Sequence, residues 1–332
     1  MAKITVLGAG GWGTALATMA HRYDNDVTLW TPFPQEITAI RDLGENRALL
    51  PGVAVPLSLE LTTDESCVSD ADLVIVAVPS FAVGSTAERI RPLLRAGTPV
   101  AIAAKGLDTD THRGFSAIVG EHLPGARVTV LSGPSHAEEV GRGVPTSVVS
   151  ASTDLDAART VQDLLMNPTF RIYVTEDVVG VELGGALKNV IALAAGICDG
   201  LQMGDNTKAA LMTRGLAEIV QLGVRMGAKA ETFSGLSGMG DLIVTCGSMH
   251  SRNRRAGILI GQGETPEHAV RSVGTVEGYL VCTTAIKLAR EQGVEMPITE
   301  ACYRICYEGM PPREAIDMLM RRPKKHERGD GV

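Results

Sequence analysis

The sequence predicts an α/β protein whose N-terminal half is a doubly wound parallel sheet and whose C-terminal half is all-α. Three observations lead there. Short β-branched or apolar runs recur up to residue 175, helical patterns separate several of them, and beyond residue 176 long Ala-, Leu- and Met-rich stretches of 3.6-residue period take over. Strands alternating with helices make a parallel sheet covered on both faces. With 332 residues, 45% of them hydrophobic and 21% charged, the chain can fill two cores. The expected division is 1–178 and 179–332, the first unit for a dinucleotide and the second for substrate and catalysis.

In chain order, ITVLG (4–8) reads as the first strand and TALATMAHRY as the helix after it. DVTLW (26–30) and DLVIVAV (72–78) are the next strands, and AVGSTAERIRPLL is a helix. PVAIAA (99–104), VTVLS (128–132), TSVVSA (146–151) and FRIYV (170–174) complete the strand set. VELGGALKNVIALAAGICDG then opens the helical half, and the closing RRPKKHERGDGV reads as a solvated, mobile basic tail.

A net charge of −7 argues against a nucleic-acid surface, so any anionic ligand must be held by a few placed cations. Cys67, Cys198, Cys246, Cys282, Cys302 and Cys306 lack CxxC spacing, and buried thiols in a reducing compartment are the reading they support over metal or disulfide use. The N-terminus carries no basic segment followed by an apolar stretch. The longest nearly uncharged run, 183–198, contains Lys188 and Asn189 and falls short of the ~20 apolar residues of a membrane span. A cytoplasmic protein is expected.

GAGGWGTA supplies the first chemistry. Gly8, Gly10 and Gly13 satisfy GxGxxG between a strand and a helix, where glycines give a tight turn, a close backbone approach to a pyrophosphate and close helix packing. A dinucleotide site of Rossmann type is the reading; FAD and a purely structural turn are the alternatives. The second strand ends Trp30, Thr31, Pro32, Phe33 with neither the acid that binds ribose hydroxyls nor the arginine that accepts a 2′-phosphate in the usual place. Asp24 and Asp26 come early, Glu36 and Arg41 late, so NAD against NADP stays open.

Lys105 follows a strand end, where ligands of open parallel sheets bind, although a surface lysine starting a loop reads the same way. The Gly133, Pro134, Ser135 turn ends another strand and can face the same crevice. Lys188 is sharper. Its neighbours three and four residues away are Gly184, Gly185, Ile191 and Ala192, so a poorly solvated ammonium with a lowered pKa is expected, against a lysine that snorkels to water. Gly235, Gly238 and Gly240 make a loop leading to Asp241. Ser251 and Asn253 can cap a helix, and that helix start, with Arg252, Arg254 and Arg255, is also an anion site favouring a phosphorylated ligand.

GAGGWGTA, AVPS (77–80), KGL (105–107), LSGPSHAEEV (131–140), ALKNVIALAAGICDGL (186–201), GLSGMGDLIVTCGS (235–248), HSRNRRAG (250–257) and VEG (276–278) together resemble, in order and spacing and over nearly the whole chain, the bacterial NAD(P)-dependent glycerol-3-phosphate dehydrogenases. The resemblance implies a Rossmann domain followed by an all-α domain, and the reversible reduction of dihydroxyacetone phosphate to sn-glycerol 3-phosphate, a phospholipid precursor. It implies Lys188 as the catalytic lysine, supported by Lys105 and Asp241. Lys105, Gly133, Ser135, Lys188, Asp241, Ser251, Arg252 and Asn253 match substrate contacts; Gly8, Gly10, Gly11, Trp12, Gly13, Lys105, Ala137, Arg252 and Glu277 match contacts of NAD(P)H. Asn189 and Thr245 rank second. Departures are His136 for Phe, Gly11 for Ser, and Pro32 with Phe33 for a basic pair, which makes NADH use plausible.

Lys188 would protonate the oxygen to which negative charge moves, and no metal is called for. Two other readings stand beside this one: a reductase of a hydroxyacid or ketopantoate, which needs a carboxylate clamp, and a non-catalytic nucleotide sensor, which has no use for Lys188. A homodimer is expected from the Ala-, Leu- and Met-rich half.

Overall fold

The computed structural model describes residues 1–324, 326 and 327. The expected tail falls in part on 325 and 328–332, outside the described residues. Eight strands form one sheet: β1 (Lys3–Leu7), β2 (Asp26–Trp30), β3 (Glu60–Thr62), β4 (Leu73–Val76), β5 (Pro99–Ile102), β6 (Arg127–Ser132), β7 (Thr146–Ala151) and β8 (Phe170–Thr175). Their order is β3-β2-β1-β4-β5-β6-β7-β8. Leu7 pairs with Trp30 on one side and with Val76 on the other, so the chain reverses its direction of winding at β1 and opens a crevice beyond the carboxyl ends.

Two features differ from the sequence expectation. β3 is three residues with only Leu61 buried, too short to leave an alternating pattern. The sheet is also not wholly parallel, since β7 runs antiparallel to β6. The helix between them, Ala137–Arg142, is six residues, about 9 Å long, whereas a strand of that length spans ~20 Å. Such a link cannot carry the chain back to the start of the sheet, so β7 returns from the end where β6 stopped. The helix Leu155–Leu165 does make a full crossover, and β8 lies parallel to β7.

Residues on β4 show how the sheet is filled. Leu73 and Ile75 join one layer with Leu16, while Val74 and Val76 join the other with Val83 and Phe115. Both faces are therefore covered, as a mainly parallel sheet requires.

Helices follow from Val178 onward. Val178–Gly200 has the length and hydropathy of a membrane span, longer than the uncharged stretch suggested, and 83% of its apolar window is buried inside the protein. Glycines let its backbone touch a neighbour. A methyl at Gly196 would lie 2.1 Å from the Arg254 carbonyl oxygen, and one at Gly257 would lie 2.1 Å from that of Leu193. Gly200 and Gly261 repeat the relation one turn on, so the helices Val178–Gly200 and Arg252–Gly261 lie backbone to backbone. Gly278 brings a third helix, Glu277–Gln292, against the Asn189 carbonyl in the same way. These contacts fix the start of each helix relative to Lys188.

Candidate active site

Lys188 is 5% exposed and Asp241 1%. Lys188 Nζ donates to Asp241 Oδ1 at 2.5 Å and to Thr245 Oγ1 at 2.7 Å. On the other carboxylate oxygen, Lys105 Nζ donates to Asp241 Oδ2 at 2.9 Å, and also to the Gly133 carbonyl at 2.7 Å and Ser135 Oγ at 3.3 Å. Two ammonium groups thus share one carboxylate, leaving a local excess of one positive charge that suits an anion or a developing negative charge. An ammonium has three N–H donors. Lys105 uses all three on the protein, while Lys188 has one left. Lys105 therefore orients Asp241 and the Gly133 turn in this arrangement rather than presenting a free donor.

Burial pushes the Lys188 pKa down to about 8; Asp241 opposes that and Lys105 adds to it. Burial alone would raise the Asp241 carboxyl, but the charges of Lys105 and Lys188 outweigh it and hold the group below the ordinary carboxylate range. Both shifts agree with an ionised Asp241 beside a lysine able to gain or lose its proton near neutrality.

The turn at 133–135 has a physical reason. Gly133 has φ +143°, and a methyl there would lie 2.9 Å from Val148 Cα, so glycine is needed where β6 hands over to the antiparallel return. Its carbonyl accepts from Lys105 and from Ser135 Oγ at 2.9 Å.

The helix Arg252–Gly261 begins at the same crevice. Ser251 Oγ caps it by accepting from Arg254 N at 3.2 Å, so the bland reading of Ser251 holds while its own proton stays available. Asn253 is 8% exposed; its amide donates to Asn189 Oδ1 at 2.9 Å and its carbonyl accepts from Gly278 N at 2.8 Å, which ties three helices together and leaves one amide hydrogen. Arg254 corrects the sequence reading: it is ion-paired to Asp199 at 2.7 Å and donates to the Gly247 carbonyl, so it is not part of a free cationic cluster. Arg252 is exposed at the crevice, where burial by the walls lowers its guanidinium pKa and Glu277 opposes that shift. Glu277 accepts from Ser80 at the end of the β4 segment; burial raises its pKa, with Ser80 and Arg252 opposing. Ser80 was legible only as part of the AVPS block.

The glycine turn fits a dinucleotide. Gly8 has φ +112° and its N donates to the Trp30 carbonyl at 2.8 Å, which sets the end of β2 beside the turn. A methyl at Gly13 would collide with the Gly8 carbonyl at 1.9 Å, whereas Gly10 faces open space. The helix Gly11–Arg22 has no side-chain cap, so its first N–H groups are free for phosphate. Trp12 Nε1 is a buried donor with no partner among the described residues. A methyl at Gly11 would meet the Leu49 carbonyl at 2.5 Å and Ala137 Cβ at 4.0 Å, so Gly11, Ala137 and the loop around Leu49 converge. His136 sits in contact distance of His250, ring centroids 5.6 Å apart; burial, then Lys188, lower its pKa, so it fills an aromatic position as a neutral ring. Cys67 is half-buried and the other five cysteines are buried, all free thiols.

A glycine turn of the dinucleotide-binding pattern at the reversal point of a sheet, with a buried lysine on the helical half that follows, defines the class: a Rossmann-type dehydrogenase. The chain belongs to the NAD-dependent glycerol-3-phosphate dehydrogenase family, whose N-terminal profile matches residues 3–158 and whose C-terminal profile matches residues 177–317. It is 53% identical over 328 residues to the glycerol-3-phosphate dehydrogenase [NAD(P)+] of Moorella thermoacetica, covering 98% of this chain and 97% of that one. The enzyme of the same name from Desulfitobacterium hafniense is 50% identical, with 98% and 93% covered. Among solved structures, glycerol-3-phosphate dehydrogenase from Coxiella burnetii superposes with a TM-score of 0.92 at 36% identity, covering 97% of this chain and 99% of that one.

Proposed function

We propose that this oxidoreductase interconverts dihydroxyacetone phosphate and sn-glycerol 3-phosphate, with Lys188 as the group that moves the proton. The carrying observation is the buried Lys188–Asp241 pair at 2.5 Å with one lysine N–H unspent. A bound nicotinamide dinucleotide would supply the hydride for the reduction and accept it in the oxidation. Lys188 holds a proton at Nζ, donates its third N–H to the ketone oxygen and releases the proton there as negative charge grows. In the reverse direction neutral Lys188 removes it. Asp241 keeps the lysine in place, and Thr245 Oγ1 fixes its second N–H.

Arg252 and the start of its helix, with Ser251 and Asn253, would take the phosphate, so that remote binding orients the reacting carbon. Gly8, Gly10, Gly11, Trp12, Gly13 and Ala137 would hold the dinucleotide, with Lys105 and Glu277 lining the crevice between the units. The division at 178/179 is kept as a proposal, supported by the last strand ending at Thr175 and the long helix starting at Val178. So are the homodimer, for which exposed Met239, Ile243 and Met249 offer apolar area, and the cytoplasmic location. The product would feed glycerophospholipid synthesis.

The test is oxidation of NADH or NADPH by the purified chain with dihydroxyacetone phosphate. Turnover with at least one supports the reading; none with either overturns it.

A further inference from the structure

The end of β2 carries an acidic group, although its sequence position lies beyond the usual place. Thr31 follows the strand directly, is 1% exposed, and is held by its N–H on the Thr62 carbonyl at 3.1 Å. Its Oγ1 donates to Glu36 Oε2 at 2.5 Å. Glu36 belongs to the first turn of the helix Pro34–Leu43, five residues on, yet this bond draws its carboxylate back to the strand end. The strand end itself is beside the glycine turn, through Gly8 N on the Trp30 carbonyl. In a sheet of this winding, that is where the adenosine ribose lies and where a carboxylate binds the 2′- and 3′-hydroxyls.

Among the described residues, the basic side chains around that place each have a hydrogen-bond or ion-pair partner. Pro32 and Phe33 bring no charge. Arg41, on the Glu36 helix, donates to the Leu61 carbonyl at 2.9 Å. Arg47 is paired with Glu45, and Arg89, over the Trp30 ring, is paired with Glu65. A 2′-phosphate would therefore meet the Glu36 carboxylate, while the Arg41 guanidinium is turned toward the Leu61 carbonyl, and a partner can be rejected by repulsion as well as selected by contact.

We propose that Glu36, positioned by Thr31, makes this chain select NADH over NADPH by accepting the ribose hydroxyls and repelling a 2′-phosphate. Thr31 acts through Glu36, as a positioning residue. The inference rests on the reading of the glycine turn as a dinucleotide site.

Direct binding of NADH and NADPH by titration calorimetry, without substrate, separates the two. The wild-type chain is expected to bind NADH more tightly by about 10- to 100-fold, the worth of a charged hydrogen bond gained or lost. Glu36→Gln should narrow that ratio, mainly by strengthening NADPH, and Thr31→Val should narrow it less. Adenosine 2′-monophosphate, which carries only the discriminating phosphate, should bind Glu36→Gln better than wild type. Equal wild-type affinities, or a ratio unchanged in Glu36→Gln, would overturn the inference and leave the dinucleotide site standing. Absence of binding by either nucleotide would overturn both.

Discussion

Lys188 and Asp241, 53 residues apart, meet at 2.5 Å in a part of the protein where neither is more than 5% exposed. Lys188→Met keeps the bulk of the side chain and removes the proton. Its kcat in reduction should fall by about 10²- to 10⁴-fold, with nucleotide affinity unchanged. Normal turnover would remove Lys188 from the proton path.

The pH dependence has a definite sign. Reduction needs Lys188 as an ammonium, so kcat/KM for the ketone should fall as pH rises through about 8, and oxidation should rise across the same window. Asp241 raises the Lys188 pKa, so Asp241→Asn should move both breaks to lower pH. Profiles of wild type and variant, measured in both directions, check this; a break that stays in place would contradict it.

Arg252→Ala should raise the KM for dihydroxyacetone phosphate by about 10- to 100-fold and leave kcat nearly unchanged, because the phosphate is remote from the reacting carbon. An unchanged KM would place the phosphate elsewhere.

Gly257→Ala should lower stability by about 1–3 kcal/mol in thermal or denaturant unfolding, since the new methyl would have to force the helix away from the Leu193 carbonyl. The displaced helix carries Ser251 and Arg252, so substrate KM should rise with it. Wild-type stability would show that the two helices are not held at this spacing.

Glu218 sits apart from the crevice and accepts from Ile298 N, Thr299 N and Thr299 Oγ1, capping the helix Pro297–Tyr307. Burial raises its pKa to about 7 against an ordinary 4.5. A raised carboxyl stabilises the fold fully below its unfolded value, and that contribution is lost as pH rises toward and through 7. Between pH 5 and 8 wild type should lose on the order of 3 kcal/mol that Glu218→Gln does not lose. Parallel denaturation curves at the two pH values would contradict this.

The chain's own pattern made much of this legible, for reasons that differ by region. The glycine turn, the strands around it and Lys188 were readable because local periodicity and a lone charge in an apolar run are short-range signals. The direction of β7 was not, because it depends on a six-residue helix being too short to cross the sheet. Arg254 reads in sequence as part of an anion site, and its ion-pair partner Asp199 lies 55 residues away along the chain. Glu36 looked too late along the chain, because nothing local says that Thr31 draws its side chain back. Asn253 matches a ligand contact in the sequence, and its bonds to Asn189 and Gly278 emerge only when three helices are packed together. In each case the deciding partner is distant in sequence or the bond depends on a side-chain rotamer.

The central claim is that the Lys188 nitrogen reaches the ketone. A crystal structure of the chain with nucleotide and dihydroxyacetone phosphate tests it directly: the account predicts Lys188 Nζ at about 3 Å from the ketone oxygen while still on Asp241. A ketone oxygen bound by a different donor, with Lys188 turned away from it, would contradict the account.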